Sequence, residues 1–260
     1  MKGALYMDDI NDDRWHVIDV SDSSSKPMEL EIKTESGDIS PFKIVNLSDH
    51  EEELCNKLVD ACKHLEKGRG NARSGTGDKG VMFGIGRRNG GGNNHFHELF
   101  AISDPDAKGY NREFTEKYCI ATWSFSRMMK RYFPKQLSSY KEYEEKKGIF
   151  PSWQMGGLHG LTCSGDVSVN LCNAEHLDVN DADIGVSIWV EEEKNNHKNW
   201  YILLPSTYAS SDEKKRPIAI KVFHGIFMAW DGRKVRHCTS YTTLLGKNNV
   251  YGCFFCVTNR

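Results

Sequence analysis

The chain lacks any long apolar run. No stretch of 18 apolar residues occurs among its 260, so no membrane-spanning helix and no membrane partner are expected. The opening MKGALYMDDINDD has no apolar segment of the kind a secretory signal needs. An excess of one charge is lacking too. Lys and Arg number 34 against 36 Asp and Glu, a net of -2, which excludes a chain built throughout as a polycation for phosphate. There is no GxxxxGK[ST] phosphate loop and no repeat of fixed period. The eight cysteines are scattered through apolar segments rather than crowded into a short loop-rich frame. They read as reduced core thiols, which suits a cytoplasmic or nuclear compartment.

What is there suffices for a sizeable core without disulfides. Residues 1–40 are acidic and Ser-rich, with a strand expected at Leu30–Thr34 and a second at Pro41–Leu47. Ser48-Asp-His-Glu51 has the pattern of a capping box, and Leu54, Leu58, Cys62 and Leu65 follow at helical spacing up to Gly68. Residues 68–92 hold ten Gly and no apolar period, so a long loop is expected there. A second helix is predicted from about Arg112 to Tyr132, ended by Pro134, and a short polar one over Ser138–Lys147. From Phe150 onward the texture is β: VSVNLCN, GVSIWVEE, NWYILLPS, PIAIKVFHG, IFMAW, KVRHCTS and NVYGCFFCV, with turn residues between. Many short strands with no helix among them mean a sandwich or barrel. The expected organisation is a β core over 150–260, buttressed by N-terminal strands, helices and a Gly-rich basic loop over 1–149.

Four motifs fail on context. Gly75-Thr-Gly77-Asp-Lys-Gly80 matches GxGxxG, but a helix precedes it where a dinucleotide site needs a strand. His95-Phe-His97-Glu98 finds no further ligand at a suitable downstream spacing. His50-Glu-Glu52 lies in a first helical turn, where alternate side chains diverge. Cys253-Phe-Phe-Cys256 sits in a strand-like run with no helix after it.

His176-Leu-Asp178 differs. With ten His and eighteen Asp in the chain, roughly one HxD arises by chance. This one, however, follows a strand directly, so both side chains can share one face. A further His, His237, arrives 61 residues later in KVRHCTS. His224 is the rival distal ligand, at an apparent strand junction before Gly225. Two imidazoles and a carboxylate on one face of an octahedron leave three positions open, which suits iron(II), a bidentate 2-oxo acid and O2.

With its flanks, Asn170-Leu-Cys-Asn-Ala-Glu-His176-Leu-Asp178-Val-Asn180-Asp181 resembles the 2-oxoglutarate/iron(II) dioxygenase superfamily, and within it the TET/JBP family of nucleic-acid base oxygenases. His237-Cys-Thr239-Ser is similar to that family's distal His with small hydroxyl residues after it. The likeness implies a distorted double-stranded β-helix, with Fe(II) on His176, Asp178 and His237. It also implies pocket roles for Asn170 and Asn180 and a substrate or co-substrate role for Asp181. The superfamily anchors the far carboxylate of 2-oxoglutarate on an Arg about 10–15 residues after the distal His. Here Lys247 stands at that place, with Asn249 and Tyr251 beyond it, and Lys is a less bidentate partner. The family also implies a methylated pyrimidine in DNA as substrate. One independent feature agrees: Lys63 to Arg88 carries seven basic residues, Arg73, Arg87 and Arg88 among them, against two acidic ones. An amino acid, peptide side chain or small metabolite is the alternative substrate, and a metal-free ligand-binding jelly-roll the alternative class.

Overall fold

The computed structural model describes residues 10, 13–23, 26–48, 50–67, 73–74, 80–89, 96–99, 112–146, 164–179, 181, 184–193, 200–240 and 249–256. In chain order the elements are β1 (His16–Ile18), β2 (Met28–Thr34), β3 (Ile39–Asn46), α1 (Glu52–Lys67), β4 (Arg73–Ser74), β5 (Val81–Asn89) and β6 (Phe96–Leu99). Then come α2 (Arg112–Tyr132), α3 (Pro134–Lys146), β7 (Ser164–Val169), β8 (Gly185–Glu191) and β9 (Trp200–Ala209). The last are β10 (Pro217–Val222), β11 (Ile226–Trp230), β12 (Cys238–Thr239) and β13 (Val250–Cys256).

The strands run in the order β1-β10-β9-β2-β3-β11-β8-β13-β7-β5-β4, with β12 on β9 and β6 on β5. The sheet turns over on itself at β2, which pairs β3 through Met28–Lys33 and β9 through Ile32–Thr34. One leaf is therefore β3, β11, β8, β13, β7 and β5; the other is β10, β9 and β12. Their inner faces meet over Ile44, Trp189, Trp200, Ile202, Ile220 and Met228, which form one apolar cluster. This is a mainly β, jelly-roll architecture with flanking helices. Strands from both sides of residue 150 share it.

The outer face of the larger leaf is covered by α1 and α2. On α1, Cys55, Leu58, Val59 and Cys62 recur at helical spacing and are buried against Phe125, Met128 and Met129 of α2. Alternation along β11 sends Phe227 and Ala229 to the helices, and Ile226, Met228 and Trp230 into the barrel. All seven positions of β8 are buried because both of its faces are covered. No described helix is long and apolar enough to cross a membrane.

Several elements depart from expectation; β4 falls within the expected loop, and β7 ends at Val169 rather than running through Asn173. Val81–Asn89 is a strand, not loop: it pairs β7 from Val81↔Val169 to Ile85↔Gly165 and also pairs β6. Gly84 and Gly86 blank out the alternation that would mark it, and pairing uses backbone groups that any residue supplies. β1 was likewise invisible, being three residues held by parallel pairing to β10. α3 opens at Pro134 rather than Ser138, since proline's fixed φ suits a first helical turn.

Candidate metal centre

β7 ends at Val169, and Asn170 after it takes a left-handed turn with φ 51°, a conformation that Asn tolerates. The chain then crosses to the smaller leaf. There His176 and His237 form an antiparallel bridge, with N–H···O distances of 3.0 and 3.1 Å. Two residues on, the Asp178 N–H donates to the Gly232 carbonyl at 2.9 Å. These three backbone bonds bring the HxD segment and the distal His side by side. Ligand atoms of His176, Asp178 and His237 all lie within 4.8 Å of one another, the one such group among the described residues.

Each imidazole is oriented from behind. His176 Nδ1 donates to the Ala174 carbonyl at 2.8 Å, and His237 Nδ1 to the Val235 carbonyl at 3.0 Å. That fixes the tautomer and leaves both Nε2 lone pairs facing Asp178. Burial holds the His237 imidazole below its ordinary pKa, although the Asp178 carboxylate pulls the other way; neutral imidazole is the ligating form. Trp230 stands edge-on to the His237 ring at 5.3 Å.

The distances separate an ion-pair reading from a metal reading. His176 Nε2 is 3.6 Å from Asp178 Oδ1, and His237 Nε2 is 3.4 Å from Oδ2. Both exceed hydrogen-bonding range. Donors about 2.1 Å from a divalent ion, at about right angles, sit roughly 3 Å apart. Asp178 Oδ2 is also buried with no hydrogen-bond partner. Gly232 leaves room for it: a Cβ there would fall 2.5 Å from that oxygen. The donor set, the orphaned oxygen and this cradle fit a divalent cation with open coordination positions.

The other candidates scatter. His224, the rival distal ligand, is buried with Nδ1 at the Glu191 backbone, outside this group. Asp181 is buried beside the centre, its N–H on the Asp178 carbonyl at 3.0 Å. Burial, and next the Asp178 carboxylate, push its carboxyl up to about 7. Asn170 is tied to the start of β13. Its side chain bonds Asn249 Oδ1 at 2.7 Å and the Val250 N–H at 2.9 Å, closing the corner. Tyr251 is not with the triad. On β13 the inward residues are Val250 and Phe254, so Tyr251 faces the helices, its hydroxyl on Glu192 at 3.1 Å. Lys247 and Asn180 lie outside the described residues. Arg73, Arg87 and Arg88 sit on β4 and β5, their side chains outside the described set. No described Lys or Arg is buried.

Gly232, Trp230 and Asn173 were missed. Asp231-Gly232 reads as an ordinary turn, and nothing in one sequence says that Asp178 rests on it.

No protein-family model matches the sequence, and no curated protein matches it significantly. Among solved structures the chain is similar to NgTET1 in complex with 5mC DNA, at TM-score 0.53 and 11% identity over 86% of this chain and 74% of that one. It also matches a Pseudomonas putida prolyl-4-hydroxylase, at TM-score 0.45 and 10% identity over 84% of this chain and 93% of that one. A third match is a 2OG-Fe(II) oxygenase family oxidoreductase from Burkholderia pseudomallei, at 0.41 and 10% over 78% and 82%. The chain shares the fold of NgTET1, so the fold implied by the sequence resemblance is the fold it has.

Proposed function

We propose that this chain is an iron(II)-dependent dioxygenase that uses 2-oxoglutarate and hydroxylates the methyl group of a methylated pyrimidine in DNA. The observation that carries the iron reading is the triad itself, with donors 3.4 and 3.6 Å apart around an orphaned carboxylate oxygen. Bound iron supplies activation of O2 toward an unactivated C–H bond. The chain's own residues do the holding. Asp178 takes its place between two imidazoles that backbone carbonyls keep in one tautomer, and Trp230, backed by Phe254, sets an apolar ring against His237. The His176 side chain is 39% exposed against 11% for His237, so substrate approaches from the His176 side. Lys247 is our choice for the far carboxylate of 2-oxoglutarate.

DNA is favoured as substrate by the HxD-flanking resemblance, by the fold shared with a protein whose structure holds 5mC DNA, and by the basic 63–88 segment. Base chemistry needs a flipped or single-stranded nucleotide, and phosphate contacts release counterions. The test is mass spectrometry of nucleosides from methylated DNA incubated with protein, Fe(II) and 2-oxoglutarate. We expect an oxidised pyrimidine, succinate release that falls in Lys247→Ala, and DNA affinity that drops steeply with salt. Replacing Arg69, Arg73, Arg87 and Arg88 should flatten that salt slope. Succinate release without any oxidised base or salt-dependent binding would move the substrate to an amino acid, peptide or metabolite.

A further inference from the structure

Beyond the three backbone bonds at the centre, a side-chain clip joins the two ligand-bearing segments. The Asn173 N–H donates to Thr239 Oγ1 at 3.0 Å, and the Thr239 N–H donates to Asn173 Oδ1 at 3.0 Å. Each backbone donor is thus taken by the other residue's side-chain oxygen. The Thr239 hydroxyl has the Leu171 carbonyl at 2.9 Å and Asn173 Oδ1 at 3.0 Å as acceptors. Cys172 Sγ lies 3.4 Å from the Thr239 carbonyl. Continuing the His176↔His237 register would set Thr239 opposite Ala174, but the described backbone bonds show no such pair. The ladder breaks there, and the clip holds the strands together in its place.

We propose that Asn173 and Thr239 are positioning residues of the metal centre. They set the separation of His176 and Asp178 from His237 without touching the ion. Three facts point this way. The clip lies three residues before His176 and two after His237, so a shift in it passes to both ligands. The Ala174 carbonyl that orients His176 lies between the clip and that ligand. Thr239 is buried, so water does not readily replace its hydroxyl. The proposal rests on the metal-centre reading above.

The test compares Mn(II) affinity by calorimetry in the full-length protein. Thr239→Val keeps the shape and loses the hydroxyl; Asn173→Ala removes the other half of the clip at a more exposed position. Each should weaken Mn(II) binding about 10–100-fold, as loss of a ligand-orienting partner typically does. Thr239→Ser should stay within about threefold of wild type, since it keeps the oxygen. Thr34→Val removes a buried hydroxyl bonded to Ser36 at 2.8 Å in a different turn. It should lower Tm and leave Mn(II) affinity unchanged, which separates positioning from general loosening. Wild-type affinity in Thr239→Val and Asn173→Ala would overturn the proposal, as would an equal loss in Thr34→Val. A wild-type protein that binds no Mn(II) would overturn the metal-centre reading and this proposal together.

Discussion

Gly232 faces Asp178 so closely that a methyl group added there would lie 2.5 Å from Oδ2 and 3.1 Å from Cβ and Cγ. Its φ is not in the left-handed range, so Gly232→Ala strains the site rather than the backbone. Oδ2 is the far end of the Asp178 side chain, which would rotate the carboxylate away from His237. Gly232→Ala should therefore fold with a near-normal Tm and bind metal at least about tenfold more weakly; calorimetry against thermal unfolding separates the two. The triad could be read from the sequence because an HxD and a later His both fall in the β-rich half, although β7 ends at Val169, seven residues before His176, rather than running up to it. Tyr251, a few residues beyond Lys247, faces the helices rather than the triad. In VYGCFFC both phases of the alternation are apolar, because β13 is covered on both faces. One sequence cannot decide which phase looks inward.

Among the elements, α3 is fastened to the sheet through Tyr140. The Tyr140 hydroxyl reaches the Ile184 carbonyl at 2.7 Å and the Phe255 carbonyl at 2.8 Å, next to the start of β8 and the end of β13. Tyr140 is fully buried, so Tyr140→Phe deprives two carbonyls of a donor without opening space for water. The expected cost is about 1–3 kcal/mol in denaturant unfolding, with metal affinity unchanged. An unaltered midpoint would mean that packing alone holds α3. α1 and α2 were legible to within a few residues because their apolar positions recur at helical spacing over three or more turns. β5 was not, because a strand recruited by its neighbour's backbone needs no pattern of its own.

For the molecule as a whole, acid stability has an identifiable contributor between β9 and β10. Hydrogen bonds from the Arg216 guanidinium, then from the Arg216 and Lys214 N–H groups, hold the Asp212 carboxyl down to about 2. A carboxylate depressed in the folded state stabilises it above the unfolded value of about 3.9 and loses that contribution as pH falls toward 2. Asp212→Asn should thus lower Tm at pH 7, and the gap from wild type should close between about pH 4 and pH 2. Strand count and spacing made a sandwich or barrel legible and the family resemblance narrowed it to a jelly-roll, whereas the turn of the sheet at β2 depends on pairings that no local pattern records. The proposed function requires that His176, Asp178 and His237 hold one iron ion. Anaerobic reconstitution with Fe(II), desalting and elemental analysis measure it directly. One iron per chain in the wild type and almost none in His176→Ala is the expected result; no iron in the wild type, or equal iron in both, would contradict it.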